Sequence, residues 1–491
     1  MSHKGLNELF KYPLMDAIID RRTRRVAQGM SIDAGPLSHV SANEPKPLSE
    51  LEEAVLVVST GLTGSSTMHD VPTRNQKGEE SFSAPLMNII TQATPSIDNV
   101  HSVNFIMIND EGTWLIKKLR GQAALDELAK RPSRWKNWSE QDWLDAADSV
   151  KFKLFDTRLD FPREWPYYFI WNRSISNVPG TTILLPLVDI SRQVINVFLS
   201  LLSEDDGSRP LFVDDWSPFK PKTFMDWLAK IGSKLGFLPE IPYHLIGGTK
   251  WANDKWLNNK DVAAVSYYGA FRTEYETFML LQNLKLTSQA MGLGAWLHAA
   301  VDFPVLFERD EEAGKFGLGK NKGDPSAFGF TMQKRKKFGR LRRQPPLPTL
   351  LDNPIGIEGV LESLNPPFVK NMDEAVDIVL EEKFGPKGPY GDEDIIGKAY
   401  KDPKYGKEFL GMAGARPSAK AIEYTKVIAN YVYDTYGSFP AAANAFHVPG
   451  VWLQFSHLEM EYYQKYFDES LYQRQMKSGD WWDEGASPSA G

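Results

Sequence analysis

The chain has 491 residues, 42% of them hydrophobic, with 56 Lys+Arg against 63 Asp+Glu for a net charge of −7. That is enough for two or three domains at roughly 100–200 residues each. It is too apolar for wholesale disorder and lacks the basic balance of a general nucleic-acid binder. Cysteine is absent, which excludes disulfides, thiol nucleophiles, cysteine-held zinc and iron–sulfur clusters, so redox chemistry would need a bound organic cofactor or a His/carboxylate metal.

Residues 10–30 read as helical, with Leu14, Ala17 and Ile18 on one face and the basic run Arg21–Arg25 at the end. Residues 32–47 are loop-like. Ser49 then caps a helix, with Glu52 placed to complete a capping box. Residues 61–84 read as a polar loop. Residues 103–108 and 113–119 flank the turn Asn109-Asp110-Glu111-Gly112 and predict a hairpin. The Trp-rich stretch 121–151 reads as helix and residues 182–188 as a strand, followed by a helix that Asp189 can cap. The apolar helix 275–291 stops at Gly292. Residues 303–353 are basic and proline-rich and read as an irregular strap. Beyond them, 357–364, 372–384, 418–436 and 451–467 are expected as helices, and the tail from Gly479 as frayed. No apolar run is long enough to span a bilayer and the N-terminus shows no leader pattern, so a cytoplasmic chain with no membrane or nucleic-acid partner is expected.

Three segments carry chemistry in order. The first is Arg21-Arg22-Thr23-Arg24-Arg25, whose guanidiniums and hydroxyl suit a phosphate. The second is Pro95-Ser96-Ile97-Asp98-Asn99-Val100-His101-Ser102 before a strand. The third is Gly292-Leu293-Gly294 at the end of the buried helix, where glycines permit close approach to the backbone. In this order the chain resembles the nitroreductase family, with its Arg-Arg-Ser-x-Arg box, its Pro-Ser-x-x-Asn box and its Gly-Leu-Gly helix end. Thr23 keeps the hydroxyl of the family's Ser, His101 replaces a Gln and Ser102 a Pro. The resemblance covers about residues 10–115 and 265–300.

The resemblance implies an α+β fold, a nitroreductase-like sheet wrapped by helices, in a homodimer that holds FMN at its interface. Arg21, Arg22, Thr23 and Arg25 would hold the phosphate and ribityl chain. Ser96 and Asn99 would touch the ring, the backbone at Leu297, His298 and Ala299 would lie by its reactive edge, and Arg342 or Arg343 would close the phosphate site. It also implies oxidoreductase chemistry on a small conjugated or aromatic molecule, with NAD(P)H as a possible donor. The rivals are an oxygen-using, flavin-cleaving enzyme and a non-catalytic flavin binder. The organisation expected is the N-terminal part of the core over 1–120, an extended middle segment over 121–265, the buried helix and flavin-edge segment over 266–302, the strap over 303–353 and a helical extension over 354–491.

No residue stands out as a catalytic group in its own right. In the middle segment, Asn172, Arg173 and Asn177 crowd into one loop before a strand, as a carboxylate- or amide-binding set would. No metal is expected. His457 and Glu461 lie four residues apart with Glu459 nearby, but there is no His-Glu-x-x-His and no third ligand in the local spacing. P-loop, dinucleotide-fingerprint and Gly-x-Ser-x-Gly patterns are absent as well.

Overall fold

A computed structural model describes residues 3–61, 63–66, 73–74, 80–81, 90–92, 94–96, 101–164, 168–203, 209–212, 224, 228, 231, 258–263, 265–301, 330–334, 352–388, 390–391, 400–405, 417–437, 439–444 and 450–483. Asn99, Arg342 and Arg343, with most of the basic strap, lie outside these residues.

Seven strands form one antiparallel sheet. They are β1 (Val103–Asn109), β2 (Gly112–Ile116), β3 (Lys151–Phe155), β4 (Thr181–Asp189), β5 (Gly294–Val301), β6 (Ala442–Asn444) and β7 (Gly450–Ser456). The order is β5-β7-β4-β1-β2-β3, with β6 also pairing with β4. The hairpin is in register at Asn109–Gly112, where the Asn109 side chain accepts from the backbone of Glu111 and Gly112. In β4 every residue is buried, as expected of a strand covered on both faces. Leu184 and Val188 join the core that includes Phe105, Met107, Val55 and Leu284. Ile183, Leu185 and Leu187 join a second core with Ile106, Ile108, Tyr168 and Trp452. The chain is thus a mixed α+β structure, a multi-stranded antiparallel sheet surrounded by helices.

The helices follow largely local rules. The first two, α1 (Lys4–Lys11) and α2 (Leu14–Asp20), are interrupted at Pro13, which removes a backbone donor, so residues 10–30 are not one helix. After Asp20 the arginine run is extended, with Arg21 at φ −60° and ψ 125°. In α3 (Glu50–Ser59) the Ser49/Glu52 capping box is complete. The Trp-rich stretch holds α4 (Gly121–Ala129) and α5 (Glu140–Asp148), separated by a short 3-10 turn. Asp189 accepts from the Ser191 amide at 3.0 Å as α6 (Ser191–Ser203) begins. The long helix α7 (Val265–Met291) ends at Gly292, whose φ of 82° favours glycine. Two further helices, α8 (Met372–Phe384) and α9 (Ala419–Tyr436), pack with α6 into a separate apolar cluster through Val376, Ile428 and Phe198.

Three expectations are corrected. Residues 357–364 form strand and turn, not helix. Residues 451–456 belong to β7, and only Met460–Tyr466 (α10) is helical, so the C-terminal region supplies an interior strand of the sheet, next to its edge, rather than a purely helical extension. The segment after Gly479 is anchored through Asp483. Trp481 and Trp482 are buried, and the Trp482 indole donates to the Met291 carbonyl at 3.0 Å. Here apolar burial overrides the Gly/Ser/Asp composition.

Candidate functional site

The arginine run leaves α2 and passes the C-terminal half of α7. The four guanidiniums do different work. Arg24 is buried, donates to the Leu471 carbonyl and to Gln289 at 3.2 Å, and burial pulls its pKa down to about 10. It is a structural residue. Arg22 is exposed and donates to the carbonyls of Ile19 and Arg21 at 2.8 and 3.0 Å, closing the end of α2. Arg25 is exposed and lies over the Trp296 ring at 5.4 Å. Among the described residues no carboxylate pairs with Arg21, Arg22 or Arg25. Unpaired guanidiniums so close in sequence repel one another, and an anion would relieve that repulsion.

These residues line a cleft of about 460 Å³. Arg22, Thr23, Arg24 and Arg25 form one wall, and the apolar remainder includes Ile32, Leu37, Ile175, Tyr462, Tyr463 and Phe467. The combination of a few charged groups with an aromatic wall is typical of small-molecule sites, and the volume falls in their usual range of roughly 300–1,000 Å³. The Tyr463 hydroxyl holds the run in place by accepting from the amides of Arg25 and Val26 at 2.9 and 3.1 Å.

Beside the cleft runs β5, the edge strand of the sheet, with Leu297 turned toward the main core and Trp296 and His298 stacked at 3.6 Å on the other face. His298 Nδ1 lies 3.2 Å from the Trp296 carbonyl and so carries the proton, and Nε2 accepts from the Ser176 hydroxyl at 2.9 Å. Burial, reinforced by Arg25, lowers its pKa to about 3, so the ring is neutral. Ala299 pairs with Val451 through the backbone. The glycine reading is corrected at Gly294. The space its side chain would occupy is taken by the Leu458 side chain and the Arg24 carbonyl. The glycine serves close packing of the arginine run on β5, not the approach of a ligand.

Ser96 is held elsewhere. Its hydroxyl donates to Glu276 at 2.8 Å and accepts from the His101 amide at 3.1 Å, and Glu276 also accepts from the amides of Ser102 and Val103 at 3.2 Å. Glu276 precedes Gln289, the Arg24 partner, by more than three turns of α7, roughly 20 Å at about 1.5 Å per residue. Within one chain, then, Ser96 lies beside the middle of α7 and the arginine run beside its C-terminal end.

The middle loop holds its three polar residues in different ways. Asn177 is fully buried with φ 51°, a conformation asparagine tolerates. Its amide donates to the Leu159 carbonyl and the Tyr168 hydroxyl at 2.6 and 3.1 Å, and its oxygen accepts from Arg158 at 2.7 Å. Those bonds consume its polar capacity, so it ties the loop together rather than reading a substrate. Asn172 is buried and its carbonyl accepts from the amides of Ile175 and Ser176 at 3.0 and 2.9 Å. Arg173 is exposed, and of the three it alone presents its side chain to solvent.

Sequence reasoning missed two groups. The aromatic wall Tyr462, Tyr463 and Phe467 comes from the far end of the chain and has no signal in the arginine box. The other is a histidine–carboxylate cluster. His457 turns to Glu52, at 3.2 Å, and not to Glu461. It is His39 that meets Glu459 and Glu461. No protein-family model matches this chain, and no curated protein and no solved structure shows significant similarity to it.

Proposed function

We propose that the chain binds FMN and acts as a flavin-dependent oxidoreductase of the nitroreductase type, passing hydride to or from a small conjugated or aromatic molecule. The observation that supports this most is that Arg22 and Arg25, which have no carboxylate partner among the described residues, line an aromatic-walled cleft with the Thr23 hydroxyl, with Arg21 next to them in sequence. These residues would hold the phosphate and ribityl chain by charge-assisted contacts. The bound flavin would supply hydride transfer, with NAD(P)H as donor. The chain's own part is to fix the anion, exclude water with Ile32, Leu37, Ile175 and Phe467, and keep the neighbouring His298 neutral.

A homodimer fits this reading. The α7 partners of Ser96 and of Arg24 are roughly 20 Å apart in the same chain, at about 1.5 Å per residue, and in this reading a second copy would contribute the Pro-Ser segment. Leu14, Met15, Ile18 and Ile19 of α2 are exposed beside the arginine run, and Phe278 and Met279 of α7 are exposed as well. Leu14, Met15, Ile18 and Ile19 are neighbours on one short helix, and exposed apolar side chains grouped in this way mark association surfaces.

Fluorescence titration with FMN tests the reading. The wild-type chain should take up about one FMN per chain. Arg25→Ala should weaken binding by about 10- to 150-fold, the equivalent of one charge-assisted contact. Arg134→Ala, an exposed arginine outside the cleft, should leave it unchanged. A folded wild type with no flavin affinity, or equal dissociation constants for the two variants, would refute the proposal.

A further inference from the structure

Glu459 is completely buried and is held from several directions. One carboxylate oxygen accepts from the Gly29 amide at 3.1 Å and from the Ser41 hydroxyl, and the other accepts from the Asn43 amide at 3.0 Å. All three donors are neutral and come from the loop between α2 and α3. His39 lies on the same loop, which closes on itself through paired backbone hydrogen bonds between Ile32 and His39. Its side chain is only 7% exposed, and its Nε2 has no hydrogen-bond partner. That nitrogen points at the Glu459 carboxylate from 3.7 Å. This is too long for a charge-assisted hydrogen bond, which runs to about 2.9 Å. A carboxylate oxygen of Glu461, which is exposed, completes a set of three ligand atoms all within 4.8 Å of one another.

We infer that His39, Glu459 and Glu461 bind a divalent first-row metal ion, zinc in the first instance. With metal–ligand bonds of about 2.0–2.1 Å, tetrahedral ligands sit roughly 3.3 Å apart. The His39–Glu459 separation therefore needs only a small contraction around an ion. One imidazole with two carboxylates selects zinc or a neighbouring transition ion over magnesium, which takes oxygen ligands and sheds water reluctantly. The bonds from Gly29, Ser41 and Asn43 are the outer support that a ligating carboxylate needs. Glu461 approaches from the solvent side and leaves the fourth position to water. The ion staples the loop carrying Ile32 and Leu37 to α10, which carries Tyr462, and the His39 ring meets Tyr462 edge-on at 5.7 Å. Ile32, Leu37 and Tyr462 all line the cleft, so the metal fixes one wall of it. This inference does not depend on flavin binding.

Isothermal titration of the tag-free, chelator-treated, flavin-free full chain with Zn²⁺ tests it, with Mg²⁺ in a parallel run. Wild type should bind about one Zn²⁺ per chain and discriminate against Mg²⁺. Glu461→Gln, at an exposed position with no other polar contact among the described residues, should fold normally and lose zinc affinity by about 100-fold or more, beyond the effect of removing an outer-shell partner. His39→Gln should lose it as well. Absence of zinc uptake by wild type, or wild-type affinity in folded Glu461→Gln, would overturn the inference.

Discussion

Replacing Asn177 removes more than a side chain from a loop. Its oxygen accepts from Arg158 at 2.7 Å, and Arg158 also holds Asp110 at 2.9 Å and the Thr181 carbonyl at 2.6 Å, so this one asparagine helps lock the β1–β2 turn to the start of β4. Asn177→Ala leaves the buried Leu159 carbonyl without its donor, at about 1–3 kcal/mol, and deletes a charge-assisted bond worth about 1.5–3 kcal/mol. Arg158 and Tyr168 keep other partners, Tyr168 through Asp160 at 3.0 Å, so the losses do not simply add, and about 3–5 kcal/mol is expected. Alanine at φ 51° adds roughly 1 kcal/mol that glycine would avoid, so Asn177→Gly should be milder than Asn177→Ala. Urea denaturation followed by tryptophan fluorescence reads both variants, because Trp452 packs edge-on to Tyr168 at 6.3 Å. The expected order of midpoints is wild type, Asn177→Gly, Asn177→Ala. An Asn177→Ala variant within 1 kcal/mol of wild type would refute the structural role and return Asn177 to the ligand-binding set.

Two further outcomes follow from burial. His298 has a folded pKa of about 3 against 6.5 for the free side chain, so the unfolded chain takes up the proton first on acidification. Its contribution is fully present above about pH 6.5 and is lost as the pH falls toward 3, at most about 2 kcal/mol between pH 6.5 and 5. His298→Gln should flatten that part of the urea midpoint–pH curve, and an unchanged slope would count against a neutral buried ring. Trp482→Ala should cost about 3–5 kcal/mol, read as a lowered urea midpoint. A neutral result would mean that the C-terminal tail does not pack against the helix end at Met291.

Where a signal is local, the sequence is a sufficient guide. Ser49 and Glu52 cap α3 because their spacing alone brings each side chain to the other's backbone. Gly292 ends α7 because only glycine takes its left-handed backbone without penalty. Asn109 to Gly112 turns the hairpin because the asparagine side chain bonds its own backbone two and three residues on. The mixed α+β class with an antiparallel sheet follows from such elements. Val451–Ser456 was different. A short apolar run fits a buried strand as well as a helix, and pairing with β5 and β4 decided it. The same limit governs the site. Composition marks five consecutive residues as phosphate-seeking, but only packing on Gln289 and Leu471 buries Arg24 and leaves Arg25 facing the cleft. Nothing in the spacing of His457 and Glu461 points to His39. That residue reaches Glu459 from the other end of the chain, because the loop before α3 folds back onto α10. Contacts of that kind are set by burial and by the need to pair buried polar groups, which act across the whole tertiary structure and leave no period in the sequence.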